Sequence, residues 1–408
     1  MTLPTPNTAS RFRPRDRQSE LSQTRNLKMA RSAHAYVRGS TVKFYEWLED
    51  SAGKVPTAPP IWICGDCHAG NLGPVADKDG KTDIQIRDFD QTVIGNPAHD
   101  LIRLGLSLAM AARGSDLPGI TTARMLEEIM VGYEKSLAAE SRHPRGRRPK
   151  CVQVVMRKAI ARSWEHLAKE RIEGTAPTIP LGKHFWPLNS NERAEVERLF
   201  ATEDVRRLVT SLRCRKDGAR VKVLDAAYWV KGCSSLGRLR LAVLVGVGRH
   251  SRKNGGLCLI DIKEAVKAAA PRHDDAAMPR DNAVRVVQGA RHLSPALGER
   301  MLAARFLDRS VFLRELLPQD LKVEIEEIGQ KEATKAARYL ASVVGKAHAR
   351  QMDAETRARW SDELQRSRAA NFDAPSWVWS SVVELIATHE AAYLEHCRRY
   401  AADTALAA

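Results

Sequence analysis

The sequence predicts an α+β protein of two lobes. Three observations carry this. Apolar residues recur at helical spacing over most of the first half and again toward the C-terminus. Between them, short apolar runs from Val221 to Ile262 alternate with glycine-rich turns. Near the start, Ile61-Trp62-Ile63 leads directly into a loop rich in glycine and aspartate. A chain of 408 residues, 43% apolar, can bury one large or two medium cores, which excludes fibrous and disordered classes.

Taken in order, residues 1–25 lack apolar periodicity and are expected to form a mobile basic arm. From Asn26 to Glu49, Met29, Ala33, Tyr36, Val37, Phe44, Trp47 and Leu48 mark one amphipathic helix, broken near Gly39. After the Ile61 run, the turn Asp77-Lys78-Asp79-Gly80 precedes a second strand, Asp83 to Arg87, expected to pair with the first. Helices are expected at Ala98 to Ala112, Thr121 to Glu140 and Val152 to Glu173. Strands follow at Val221 to Leu224, Ala227 to Val230, Leu239 to Val247 and Leu257 to Ile262. Helices resume at Asn282 to Leu307 and Lys331 to Gln351, and a last one carries Trp377, Leu385 and Tyr400. This divides the chain into the arm, a helical lobe at 26–215, a β-rich lobe at 216–318 and closing helices at 319–408.

No apolar run is long enough to span a bilayer and no basic-then-apolar leader opens the chain, so a cytoplasmic protein without a membrane partner is expected. Seven scattered cysteines point to reduced thiols rather than a disulfide framework. The net charge of +16 attracts phosphates of any source. Nucleic acid is a disfavoured partner, because the basic run Arg142, Arg145, Arg147, Arg148 and Lys150 has no interleaved aromatic for bases to stack on.

The chemistry concentrates between Ile61 and Asp100. The loop reads CGDCHAGN from Cys64 to Asn71, Arg87-Asp88-Phe89-Asp90 closes the next strand, and GNPAHDL runs from Gly95 to Leu101. A divalent cation on nucleotide phosphates needs oxygen ligands, which Asp88, Asn71 and Asp90 supply. A hydroxyl attacking a phosphate needs a carboxylate to orient it, a role suited to Asp66 on its glycine-flanked loop. His68 reads as a brace within that loop, and Asp100, at a helix start, reads as a cap. Cys64, Cys67 and His68 also fit the C-x-x-C-H pattern of haem attachment. Without a leader that reading is weak, and a zinc site would lack a fourth ligand.

These segments together resemble the catalytic loop, metal-binding aspartate and following helix of aminoglycoside-phosphotransferase and choline-kinase-like enzymes. Their loop reads HGDLHPGN, with Cys64 standing here at its first histidine. The resemblance implies that Asp66 is the catalytic base, that Asn71 and Asp88 bind magnesium, and that Asp100 anchors the loop. The whole chain, including AYVRG at Ala35 to Gly39 and IDIKEA at Ile260 to Ala265, also resembles the uncharacterised bacterial DUF2252 family, grouped with kinase-like folds.

Kinases place their nucleotide-gripping lobe before the catalytic loop, yet only about 60 residues precede it here. The β-rich region offers the missing parts. Gly232, Ser234, Ser235 and Gly237 lie in a turn between strands, suited to cover phosphates with backbone N–H groups, and Lys263 ends a later strand. The expected fold is therefore a circularly permuted two-lobed protein-kinase-like fold. Asn282 to Leu307 is the helix behind the lysine, Val311 to Leu317 the strand to the hinge, and Lys331 to Gln351 a large-lobe helix. Glu299 is the expected acidic partner of Lys263, with Gln288 on the same helix. Glu264 points to the opposite face of its strand. The function expected is phosphoryl transfer from ATP with Mg2+ to an unidentified hydroxyl. An adenylyl transferase, a silent nucleotide-binding regulator and a basic nucleic-acid-binding protein are the alternatives.

Overall fold

The computed structural model describes residues 14–115, 117–138, 148–161, 178–212, 215–216, 218–233, 235–248, 256–274, 276–317, 321, 329–367 and 376–400. In chain order the elements are α1 (Pro14–Ala30), α2 (Ala33–Gly39), α3 (Thr41–Asp50), β1 (Ile61–Ile63), β2 (Leu72–Ala76), β3 (Thr82–Ile86), β4 (Val93–Gly95), α4 (Ala98–Gly114), α5 (Gly119–Ala138) and α6 (Lys150–Ala161). Then come β5 (Phe185–Trp186), α7 (Ser190–Phe200), α8 (Glu203–Thr210), β6 (Val221–Trp229), β7 (Arg240–Val247), β8 (Leu257–Glu264), α9 (Asn282–Leu293), α10 (Pro295–Gly298), β9 (Met301–Phe306), β10 (Arg309–Leu316), α11 (Gln330–Ala349), α12 (Ala354–Arg366) and α13 (Ser376–Tyr400). Among the described residues no helix is long and apolar enough to cross a membrane.

The strands expected at Val221 to Leu224 and Ala227 to Val230 are one strand, β6, which joins β7, β8, β10 and the unforeseen β5 and β9 in one antiparallel sheet of six, in the order β5-β6-β7-β8-β10-β9. Side chains alternate across a strand, so Cys258, Ile260 and Ile262 of β8 face one way. They share a core with Val196, Leu199, Phe200, Val205, Leu208 and Val209 of α7 and α8. These two helices therefore cover the sheet, and the β-rich lobe begins before residue 216, earlier than sequence reasoning put it. The opposite face carries Leu259, Asp261 and Lys263. In β7, Arg240 lies across from Lys263, and in β10, Arg314 lies across from Asp261. Charged side chains alternating on a buried strand require partners on the neighbouring strands. That register supplies them.

The second core joins α4, α5, α11 and α13 around the loop segment. Here α5 and α11 approach so closely that a Cβ on Gly132 would lie 2.1 Å from the Arg338 carbonyl oxygen. Helix α9 bridges the cores. Asp281 caps it by accepting from the N–H of Ala283 and Val284 at 2.9 and 3.0 Å, and its buried Ala283, Val286, Val287 and Ala290 pack into the second core.

Several expectations are corrected. Residues 14–25, read as part of a mobile arm, belong to α1, and Arg17 is buried in an ion pair with Glu192 at 2.7 Å. Residues 1–13 lie outside the described residues, as do 162–173 of the third expected helix and the arginines at 142, 145 and 147. The helix from Asn26 breaks at Arg31 as well as near Gly39. The Ile61 strand pairs with β4, not with the Asp83 strand, which forms a hairpin with β2.

The helix expected over Asn282 to Leu307 stops at Leu293, and Met301–Phe306 is a strand hairpinned onto β10. Leu307 and Asp308 turn that hairpin with φ of 45° and 61°. Two consecutive positive φ values form the tight turn that Asn-Gly usually supplies. Leucine and aspartate gave no such signal, while Leu302, Ala303 and Phe306 kept helical spacing.

Candidate functional site

The loop after β1 is held from below. Asp100, in the first turn of α4, accepts the backbone N–H of Cys64 at 2.7 Å and of Gly65 at 2.9 Å. Its position is set by a buried chain. Trp360 Nε1 donates to Tyr133 Oη at 3.0 Å, Tyr133 Oη lies 3.0 Å from His348 Nδ1, and His348 Nε2 lies 3.1 Å from Asp100 Oδ2. The geometry lets Nε2–H donate to Asp100 and Nδ1 meet the Tyr133 hydroxyl. Tyr45 Oη donates to the Gly65 carbonyl at 2.6 Å, and Thr92 Oγ1 to that of Ile63 at 2.6 Å. Gly65 has φ of +72° and no room for a Cβ, which would meet the Gln91 carbonyl at 2.1 Å.

On this support Asp66 is 8% exposed. Its Oδ1 accepts from Arg103 Nε at 2.7 Å and its Oδ2 from Thr41 Oγ1 at 3.1 Å. Arg103 is fully buried and also donates to the Val37 carbonyl at 2.6 Å. Asn71 Nδ2 donates to the Asp66 carbonyl at 2.9 Å, which directs the amide oxygen as the group open to a metal. His68 is buried inside the loop. Its N–H donates to the Asp66 carbonyl at 3.0 Å, and its carbonyl accepts the Asn71 N–H at 2.8 Å.

The two lobes meet at Lys263. Its Nζ lies 2.5 Å from Asp90 Oδ2 and 3.4 Å from Asp88 Oδ1. The Lys263 side chain is 6% exposed, Asp90 11% and Asp88 41%. Burial would raise the Asp88 carboxyl, but the charges of Lys263, Arg314 and Arg240 outweigh it and hold the group below the usual carboxylate range. Burial and the neighbouring Asp88 charge push Asp90 the other way. One carboxylate is thus firmly ionised where the two lobes meet, and the other is the more readily protonated.

Arginines tie the surrounding backbone. Arg285 of α9 donates to the carbonyls of Asp90 at 3.1 Å and Val266 at 2.8 Å, and to that of Thr92, while Arg314 donates to Arg87 at 3.0 Å. Asp261 takes both Arg240, at 2.6 and 2.8 Å, and Arg314, at 3.3 Å.

Other expected residues fall elsewhere. Glu299 pairs with Lys78 at 3.5 Å, both half-exposed, and is not the partner of Lys263; the aspartates fill that place. Gly232 and Gly237 do adopt positive φ, 96° and 94°. Ser235, however, is buried and turns its hydroxyl back to the Lys231 carbonyl at 3.2 Å, so it does not offer that hydroxyl to a ligand. Lys28 of α1 donates to the Gly232 carbonyl at 3.3 Å. Ser234 lies outside the described residues.

Among the described residues, one further group has metal-type donors close together, with ligand atoms of Cys64, Cys67 and Asp100 within 4.8 Å of one another. The Cys64 thiol is pushed well up by its hydrogen bond with Cys67 and by burial. Asp100 is already committed to two backbone N–H groups and His348. A cation would meet neutral thiols and an occupied carboxylate, so this set does not suit one.

Sequence reasoning missed Arg103, Thr41, Arg285 and the Arg240-Asp261-Arg314 cluster. Arg103 had a signal, being the one charge inside the otherwise apolar run Leu101 to Ala112, where a buried arginine must have an acid beside it. Nothing in the sequence marked Thr41.

A family model described as an uncharacterized protein conserved in bacteria, DUF2252, matches residues 17–399. No curated protein matches the chain, and no solved structure does.

Proposed function

The chain belongs to that DUF2252 family, whose description names no reaction, and we propose from the site itself that the protein is an ATP-dependent phosphotransferase of kinase-like, circularly permuted architecture acting on a hydroxyl acceptor. The observation that carries this reading is the meeting of Lys263, from the sheet, with Asp88 and Asp90, from the strand end that follows the Asp66 loop. Phosphoryl transfer needs those parts in one cleft: a cation for the phosphates, an ionised carboxylate for the metal, and a carboxylate for the acceptor. The sheet order and the helix α9 between the lysine strand and the β9–β10 hairpin also fit a small lobe placed late in the chain.

A Mg2+ ion suits the oxygen donors present. Asp88, held ionised and partly open, and the Asn71 amide would hold it, and it would neutralise charge on the nucleotide phosphates. In the absence of nucleotide, Asp88 and Asp90 compensate the Lys263 charge. Asp66 is oriented by Arg103 and Thr41, which hold its two carboxylate oxygens. That suffices for a loose phosphoryl-transfer transition state, in which the acceptor proton leaves late and positioning dominates. The same ion pair favours, as a second reading, adenylyl transfer or nucleotide binding without turnover, since neither requires Asp66 as a base.

Calorimetry of ATP binding with and without Mg2+ tests the site. The wild type should bind only with the metal, and Asp88→Ala should bind at least about 10-fold more weakly, the scale of a lost charge-assisted contact. Equal affinities would sink the assignment.

A further inference from the structure

Arg38, at the C-terminal end of α2, is the arginine near this site that the protein leaves unused. Arg103, Arg240, Arg285 and Arg314 each hold a carboxylate or a carbonyl. The Arg38 Nε is shielded from solvent yet has no hydrogen-bond partner, and Arg38 forms no ion pair among the described residues. A buried guanidinium N–H without an acceptor is costly, so its presence calls for a ligand.

Its placement says which ligand. The Arg38 Nη2 lies 3.2 Å from the point a Cβ on Gly70 would occupy, so the guanidinium rests on the loop between Asp66 and Asn71, and a side chain at position 70 would push it off. The next residue, Gly39, is wedged against the glycine-rich turn, where its own Cβ would lie 3.1 Å from Cys233 Sγ and 2.8 Å from Met29 Cγ. Arg38 thus stands beside both segments, near enough for its charge to act on Cys233. Catalytic loop and glycine-rich turn are the two surfaces that enclose the phosphate undergoing transfer in the phosphotransferase reading, on which this inference rests.

We propose that Arg38 binds the terminal phosphate of the nucleotide, its N–H fork closing the space between the Asp66 loop and the Gly232–Gly237 turn. The fork presents two parallel N–H groups, which match two oxygens of a phosphate and complement the charge that Lys263 supplies from the sheet side. No bond is made or broken by Arg38; it is a positioning residue that neutralises charge on the group being moved.

The test compares two nucleotides by calorimetry in Mg2+: ADP, and the non-hydrolysable imido analogue of ATP, which differs by the terminal phosphate. In Arg38→Ala the affinity for the analogue should fall about 10- to 100-fold, the worth of one charge-assisted fork, while that for ADP stays within about 2-fold. Unchanged ADP binding also reports that the variant is folded. Arg38→Lys should recover part of the loss, since a point charge keeps attraction without the fork. Equal losses for both nucleotides, or no loss for either, would overturn the assignment of Arg38. Failure of the wild type to bind either nucleotide would instead remove the phosphotransferase reading and this inference with it.

Discussion

Lys263 and Asp88, separated by 175 residues in the chain, stand 3.4 Å apart at the junction of the sheet and the loop segment. The pair joins two parts of the chain with separate cores. Asp90, 2.5 Å from the same ammonium group and 3.9 Å from Arg238 Nη1, completes a cluster in which Lys263 and the neighbouring arginines compensate two acids.

Lys263→Met should abolish magnesium-dependent nucleotide binding and also destabilise the fold by about 2 kcal/mol, less than a fully buried broken pair because solvent reaches Asp88. The pH dependence follows from the acids. Asp88 is held below the usual range in the folded state, so its contribution is present above about pH 4 and lost as pH falls further. The deficit of the variant, read by urea unfolding, should therefore hold from neutral pH down to about pH 4 and shrink below it. A deficit independent of pH would mean that Lys263 acts through packing alone.

Arg103 is buried between Asp66 and the Val37 carbonyl. Arg103→Leu leaves Asp66 as a buried charge without its counter-ion and should cost about 3–5 kcal/mol in denaturant unfolding. Adding Asp66→Asn to that variant should restore much of the loss, because the stranded charge is gone. Arg103→Lys keeps the charge but loses the second contact, at about 1–2 kcal/mol.

His389 of α13 is fully buried, with Nδ1 2.9 Å from the Leu385 carbonyl. Burial, and then the positive charge of Arg103, lower its pKa to about 4. The unfolded chain takes up that proton near pH 6.5 and the folded one does not, so stability declines as pH falls from about 6.5 to about 4, by up to about 3 kcal/mol. His389→Leu should flatten this part of the curve. An unchanged slope between pH 7 and pH 4.5 would place the effect on other groups, such as half-buried His99, whose pKa is likewise lowered to about 4.

The sequence by itself determined what local chemistry can encode. Apolar period located α4, α11, α13 and the strands β6 to β8, since each buries one face or both. The run from Cys64 to Asp100 was readable because Gly65, Asp66, Asn71 and Asp88 are polar and small residues at strand ends, where packing has little use for them. Asp100 read from its position as a helix cap, but it makes no cap hydrogen bond and instead holds the loop, as the resemblance implied.

Only the tertiary structure decided which distant groups share charge. The partner of Lys263 is a pair of aspartates rather than Glu299, because α9 ends at Leu293 and Glu299 follows the short α10, ahead of β9, at the surface beside Lys78. The turn at Leu307 and Asp308 has no local signature and is held by cross-strand hydrogen bonding. Asp66 read as the acceptor-orienting carboxylate with no partner assigned, and α4 brings Arg103 against it. Ion pairing depends on distance in space, and spacing along a chain does not report that distance until both cores have closed.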